Sequence, residues 1–239
     1  MAHTITLQSR EEIAAGTMAF HFSKPEGFTH KAGQYVDLTL IDPPETDAEG
    51  NKRSFSLACA PHEAGLAIAT RMRDTAFKRV LASMPIGAAL TMTDAMGSFT
   101  LHNDASRPAV FLAGGIGVTP FLSIVRDATV RKLPHKLYLF FSNRRPEDTP
   151  FLEELKNGTA ANPNYAFFGT MTEMEESAAA WDGATGFLSK ESLLSLLPSL
   201  TGPIYYIAGP PGMVAALRST LEGAGVNGDD IRTEEFTGY

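Results

Sequence analysis

Two stretches carry residue types whose spacing points to chemistry. In the first, Ala109-Val110-Phe111-Leu112-Ala113-Gly114-Gly115-Ile116-Gly117-Val118-Thr119-Pro120, an apolar run short enough for a buried strand meets three glycines, and a helix-compatible segment follows from Phe121. Glycines let the backbone turn sharply and let an anion come close. The first free N–H groups of the next helix then point at that anion, with the positive end of the helix dipole behind them. A pyrophosphate site is one reading of this stretch, and a turn that only packs a strand on a helix is the other. The second stretch, Arg53-Ser54-Phe55-Ser56, puts a cation, an aromatic ring and two hydroxyls on one extended segment. Side chains alternate along a strand, so Arg53 and Phe55 share one face and Ser54 and Ser56 the other. The residues alone also fit an ordinary strand with one exposed arginine.

The elements that must position these stretches are of two kinds. From Ile5 to about Leu101, short strand-forming runs cover Thr17–His21, Gln34–Leu40, Arg53–Ala58, Leu66–Met72 and Ala89–Thr93, with Gly33, Asp42-Pro43-Pro44, Pro61-His62-Glu63 and Gly87 between them. Such spacing predicts a small antiparallel β-barrel. One helical segment, Phe77–Met84, interrupts it, and Glu45 to Lys52 reads as a polar surface loop. After residues 103–108 strands and helices alternate: strands at Ala109–Ala113, Lys136–Ser142, Tyr165–Thr170, Ile204–Ala208 and Ile231–Phe236, helices at Val118–Thr129, Pro150–Lys156, Lys190–Leu197 and Gly212–Glu222. That alternation predicts an α/β unit with a parallel sheet and helices on both faces. The boundary falls at 104/105.

A chain of 239 residues with 44% hydrophobic and 20% charged content is globular and long enough for two domains. The one cysteine, Cys59, excludes a disulfide framework and a protein-held iron–sulfur cluster, which takes four thiolates. A net charge of −7 argues against nucleic acid. No run reaches the length of a membrane span and the N-terminus lacks a targeting pattern, so the expected location is the cytoplasm. The six histidines show no metal-ligand spacing.

Together these stretches resemble the ferredoxin–NADP reductase superfamily, and the resemblance covers essentially the whole chain. Arg53-Ser54-Phe55-Ser56 resembles the family's Arg-x-Tyr-Ser flavin motif, and Gly114 to Pro120 its pyridine-nucleotide pyrophosphate loop. Ala208-Gly209-Pro210-Pro211-Gly212-Met213 resembles its Cys-Gly-x-Pro-x-Met nicotinamide motif, and Glu234-Glu235-Phe236 its terminal Glu-x-aromatic. The resemblance implies an FAD-binding barrel over residues 1–104 and an NAD(P)-binding α/β domain over 105–239. It implies that Arg53 pairs with the flavin pyrophosphate, that Phe55 lies against the flavin ring with Ser54 beside it, that Ser56 orients or protonates the reactive nitrogen, and that Glu234 serves proton supply or charge balance near Ser56. Thr70, Arg71 and Met72, with Thr75, Ala76 and Phe77, fall where the family has its second flavin segment, Thr75 being the candidate hydroxyl. Gly114, Gly115, Gly117, Thr119 and Pro120 would hold the nucleotide pyrophosphate, and Gly209, Pro210, Pro211 and Met213 the nicotinamide. Phe236, by motif position, would shield the flavin, with Tyr239 as the alternative ring.

Three positions depart from the family pattern: Phe55 replaces tyrosine, Ala208 replaces cysteine, and Lys78 stands where a serine is expected. For the nicotinamide cofactor, Glu173 after the third strand of the second half would repel a 2′-phosphate and favour NADH. Asn143, Arg144 and Arg145 after the preceding strand are candidate nucleotide contacts, and the two arginines could instead hold that phosphate. The implied function is an FAD-dependent oxidoreductase that takes a hydride from NAD(P)H and passes electrons to a separate protein such as a ferredoxin. A basic face around Lys52, Arg71, Arg73, Lys78 and Arg79 would suit that partner. A flavin, ferric or quinone reductase using small acceptors, and a flavin-binding subunit of a larger complex, are the rival readings.

Overall fold

Alternation of buried and half-exposed residues builds the first sheet. In β3 (Tyr35–Leu40) Val36, Leu38 and Leu40 are buried, while Tyr35, Asp37 and Thr39 stay accessible. The computed structural model describes residues 2–237. With β1 (Ala2–Ala14), β2 (Thr17–Ser23), β4 (Lys52–Ser56), β5 (Gly65–Arg71) and β6 (Ala89–Thr93), β3 forms a six-stranded antiparallel sheet ordered β4-β3-β6-β1-β2-β5. The two edge strands return alongside each other, and just past the end of β4 the Ala58 N–H donates to the Ala67 carbonyl of β5 at 2.8 Å. The sheet thus curls into the expected barrel. Helix α1 (Ala76–Ser83) closes one opening by burying Phe77, Val80 and Leu81 in the barrel core.

The longest strand, β1, is absent from the sequence reading. Its first residues pair with β6 and its later ones with β2, with register shifts at Leu7/Ser9 and Glu12/Ala14. Ser9-Arg10-Glu11-Glu12 is polar on both faces, so no period-two pattern marks it; the ladder with β2 makes it a strand.

The second sheet is parallel throughout. It consists of β7 (Ala109–Gly114), β8 (Leu137–Asn143), β9 (Tyr165–Met171), β10 (Ala184–Thr185), β11 (Ile204–Gly209) and β12 (Ile231–Glu235), ordered β10-β9-β8-β7-β11-β12. Helices α2 (Thr119–Val130) and α3 (Leu152–Ala161) bury Phe121, Ile124 and Leu155 on one face. Helices α4 (Lys190–Leu194) and α5 (Pro211–Gly223) bury Leu193, Val214 and Leu217 on the other. Helix α3 starts two residues later than predicted because Phe151 takes a left-handed conformation (φ +57°). Helix α4 ends at Leu194, short of the expected Leu197.

Chain order reverses at β7. The chain proceeds to β8 and β9 on one side and returns to β11 on the other, which opens a crevice at the carboxyl ends of β7 and β11. The segment after β6 locks the halves together: Phe99 meets the rings of Phe121 and Tyr206 at 5.6 and 5.5 Å. The His102 N–H donates to Tyr206 Oη at 2.9 Å, and Arg232 donates to the Thr100 carbonyl at 2.9 Å. Gly33 belongs to the same seam, since a Cβ there would sit 2.2 Å from the Phe99 carbonyl oxygen.

Candidate functional site

A cavity of about 590 Å³ lies where the barrel mouth meets the carboxyl edge of the parallel sheet. Its wall takes Arg53, Ser54, Phe55, Ser56, Thr70, Arg71 and Thr75 from the barrel and Thr119, Glu234 and Phe236 from the other half, all residues singled out from sequence. Met72, Ala76 and Phe77 are not on the wall; Ala76 and Phe77 are buried behind it. Tyr35, Glu49, Ala69, Glu235 and Thr237 line it as well and were not foreseen. Tyr35 stands directly opposite Ser56 in the β3–β4 ladder, so pairing register, and not local pattern, brings it to the site.

On the barrel side the predicted alternation of β4 appears in the contacts. Arg53 and Phe55 both face Phe77, with the guanidinium 5.5 Å and the Phe55 ring 5.7 Å from its centroid. Ser54 faces the other way and donates to Asp37 Oδ1 at 2.5 Å. Arg53 is already engaged: Nη2 donates to Asp47 Oδ1 at 2.9 Å and lies 3.0 Å from Glu49, and Nη1 donates to the carbonyls of Glu49, Gly50 and Lys52. Thr75, the candidate hydroxyl, is the N-cap of α1, its Oγ1 accepting from the Lys78 N–H at 3.4 Å. Lys78 sends Nζ to the Arg71 carbonyl at 2.6 Å, and burial, helped by Arg73 and Arg53 nearby, holds its pKa below the usual lysine value. Arg53, Arg71, Arg73 and Lys78 thus converge on one wall, a donor set suited to phosphate oxygens.

The expected broad basic face is largely neutralised. Lys52 pairs with Asp37 at 3.0 Å, Arg71 approaches Asp148 at 4.0 Å, and Arg79 is held by Glu45 at 2.6 Å and by Asp74.

On the α/β side β7 runs into a 3₁₀ turn, Gly115–Val118, before α2 begins at Thr119. Gly115 has φ +50°, a left-handed conformation natural to glycine. Gly114 and Gly117 are required by close approach: a Cβ at Gly114 would lie 2.5 Å from Met213 Sδ, and one at Gly117 2.5 Å from the Ala208 carbonyl oxygen. Two sequence-distant motifs are therefore one packed unit, with Pro210 and Met213 resting against the glycine loop. Thr119 Oγ1 donates to the Ile116 carbonyl at 3.1 Å, and Pro120 occupies the first turn of α2, where its missing N–H costs nothing. Pro211 opens α5 in the same way.

Glu234 lies opposite Ala208 in the β11–β12 ladder and reaches the cavity wall. Burial without a compensating charge pushes its carboxyl up to about 7. The Phe236 N–H donates to the Gly209 carbonyl at 3.0 Å, which fixes the chain that carries this ring to the nicotinamide-motif glycine. Tyr239 lies outside the described residues. Arg144 approaches Glu173 at 3.7 Å and Arg145 pairs with the buried Asp148 at 2.7 Å. Asn143, at the end of β8, keeps its Nδ2 buried with no hydrogen-bond partner. Among the described residues, no cluster of three or more His, Cys, Asp or Glu is placed to hold a metal ion, and no helix is long and apolar enough to cross a membrane.

Comparison with known proteins agrees with this arrangement. The family described as "Oxidoreductase NAD-binding domain" matches residues 111–219. The chain is 26% identical over 235 residues to a flavohemoprotein of Pseudomonas putida, covering 96% of this chain and 58% of that protein. It is likewise 26% identical to the reductase component of a propane 2-monooxygenase from Rhodococcus jostii, covering 90% of this chain and 57% of that one. It thus spans less than two thirds of the length of either relative. Among solved structures, a ferredoxin NADP+ reductase from Neisseria gonorrhoeae with bound FAD and NADP superposes with a TM-score of 0.80 at 22% identity, over 98% of both chains.

Proposed function

We propose that this chain is a member of the ferredoxin–NADP reductase-like superfamily of flavoprotein reductases, an FAD-dependent reductase that takes a hydride from NAD(P)H and passes electrons to a separate acceptor. The observation that carries this is the shared cavity: one wall converges cations and the Arg53–Ser56 strand, the other presents Glu234 and Phe236 beside the glycine loop. The division into an FAD-binding part, residues 1–104, and an NAD(P)-binding part, 105–239, follows the two sheets.

The flavin, when bound, supplies the capacity to accept a hydride and release electrons one at a time. The chain supplies the rest. Arg53, with Arg71, Arg73 and Lys78 on the same wall, would hold the phosphates, and Phe55 braced on Phe77 would present a ring edge or face to the flavin. Amides of the 115–118 turn and the start of α2 would hold the nucleotide pyrophosphate, and the orphaned Asn143 Nδ2 offers a further donor at that edge. Ser56 and Glu234 line the same cavity, and a carboxyl poised at about 7 can hold a proton at neutral pH and release it. Phe236 keeps water from the reacting face.

NADH is the favoured donor. Arg145 is held by the buried Asp148, and the Glu173 carboxylate beside Arg144 disfavours a 2′-phosphate there. For the acceptor, the reading is a ferredoxin-type electron-transfer protein, supported by similarity to proteins named as reductase components of oxygenases. A reductase acting on small oxidants is the second reading, favoured by the pairing of Lys52 with Asp37 and of Arg79 with Glu45 on the expected basic face. The buried free thiol accords with the reducing cytoplasm.

The test is an anaerobic visible spectrum of the purified protein, then rapid mixing with NADH and with NADPH. A flavin band bleached faster by NADH supports the reading. A yellow protein reduced by neither nucleotide points to a subunit that works only in a complex, and a colourless protein that takes up neither FAD nor FMN overturns it.

A further inference from the structure

The loop joining β3 to β4 carries four carboxylates, Asp42, Glu45, Asp47 and Glu49, and the last three are turned back onto cations of the barrel half. Asp47 is the singular one. Its Oδ1 accepts from Arg53 Nη2 at 2.9 Å, and its Oδ2 accepts from the Ala76 backbone N–H at 3.1 Å, at the first turn of α1. The Glu49 N–H also donates to Oδ1, at 3.0 Å. Burial works against this charge, yet the hydrogen bonds from Arg53, Glu49 and Ala76 outweigh it and keep the carboxyl below the usual range. A carboxylate that bridges a guanidinium and a helix-start amide makes the contacts a phosphate oxygen would make there.

The surroundings are built for more negative charge than Asp47 brings. Arg53, Arg71, Arg73 and Lys78 line the adjoining cavity, Lys78 is partly buried among like charges, and Glu49 is the loop carboxylate on that wall. The loop reaches this seat by tethers that can be exchanged. Arg79 holds Glu45 on half-exposed side chains, and further links are Arg53 itself, Asn51 Nδ2 donating to the Leu40 carbonyl at 2.9 Å, and the backbone bonds of a turn. An exposed pair such as Arg79–Glu45 contributes little and is readily replaced.

We infer that Asp47 is an internal stand-in for phosphate: it makes the contacts of the Arg53–Ala76 seat that the phosphate of a flavin would take, and a phosphorylated flavin binds by displacing it. This rests on the proposed flavin function. Asp47 is then a determinant of cofactor affinity that acts by competition, and the exchange is specific to the phosphate end of the ligand.

The decisive variant is Asp47→Asn, which keeps an oxygen acceptor for the Ala76 N–H while removing the charge. Dissociation constants are measured by flavin fluorescence for FAD and for riboflavin, which lacks phosphate, and inorganic pyrophosphate is followed by its shift of the thermal midpoint. The expected result is FAD affinity raised roughly tenfold, a larger pyrophosphate-induced shift, and riboflavin unchanged. FAD affinity that is unchanged or weakened, or FAD and riboflavin affected alike, overturns the inference. If neither protein binds any flavin, the reductase reading falls, and the pyrophosphate titration still decides whether Asp47 competes for the seat.

Discussion

The two halves prepare for an anion in opposite ways. The glycine loop after β7 does it by omitting side chains at two positions: Gly114 and Gly117 leave no room for a Cβ, so the backbone of the loop packs directly on Met213 and Ala208. The barrel wall does it by adding them, with Arg53 and Lys78 held in place by carbonyls and carboxylates of the same chain. A backbone site is a matter of shape and has nothing to neutralise, whereas a side-chain site must be kept solvated or paired until its ligand arrives. That difference predicts that the α/β half tolerates no added atom and the barrel half no lost charge.

Adding bulk to the backbone site should have the largest effect. Gly117→Val drives a side chain into the Ala208 carbonyl, and we expect reduction by NADH to slow by more than roughly 10²-fold while flavin content of the purified protein is retained. Loss of both together would show that the two sites are not separable. Next comes the group on the seam between them. Glu234→Gln should lower the reductive rate at neutral pH roughly 10²-fold and abolish an inflection near pH 7 in the pH–rate profile. Stability carries the same signature. A carboxyl raised in the folded state stabilises at low pH and loses that contribution as pH climbs from its ordinary value through about 7. Denaturant midpoints of the parent should therefore fall across that window more steeply than those of the variant.

Removing charge from the barrel site ranks third. Arg53→Ala should weaken FAD binding by roughly ten- to a hundredfold, read by flavin fluorescence, with affinity for the bare nucleotide unaltered. The smallest effect is expected at the rim of the α/β site. Glu173→Arg removes the carboxylate beside Arg144 and should shift the NADH-to-NADPH ratio of reduction rates severalfold toward NADPH. An unchanged ratio would place the 2′-position elsewhere.

Much of the fold was legible because its signals are local. Alternating β and α patterns after Ser106 mark a parallel sheet, and the observed bounds of β8, β9, β11 and α5 fall within a residue or so of the expected ones. β1 was not legible, since Ser9 to Glu12 carry no apolar alternation and only the ladder with β2 makes the segment a strand. The two-residue β10 is a strand only through its ladder with β9.

Four spaced motifs, each readable within a handful of residues, were enough to mark the two halves and to name Arg53, Ser56, the glycines and Glu234. Their state depended on neighbours far away in the chain. Burial of Glu234 against a parallel sheet sets its proton affinity near neutrality, Tyr35 enters the cavity through register with Ser56, and Asp47 occupies the seat beside Arg53 because a surface loop folds back onto α1. Residue type and spacing determine which groups are available, because backbone preference and side-chain period act over a few residues. Which of those groups are paired, dry or charged is decided by desolvation and distance, and these exist only once the chain is packed.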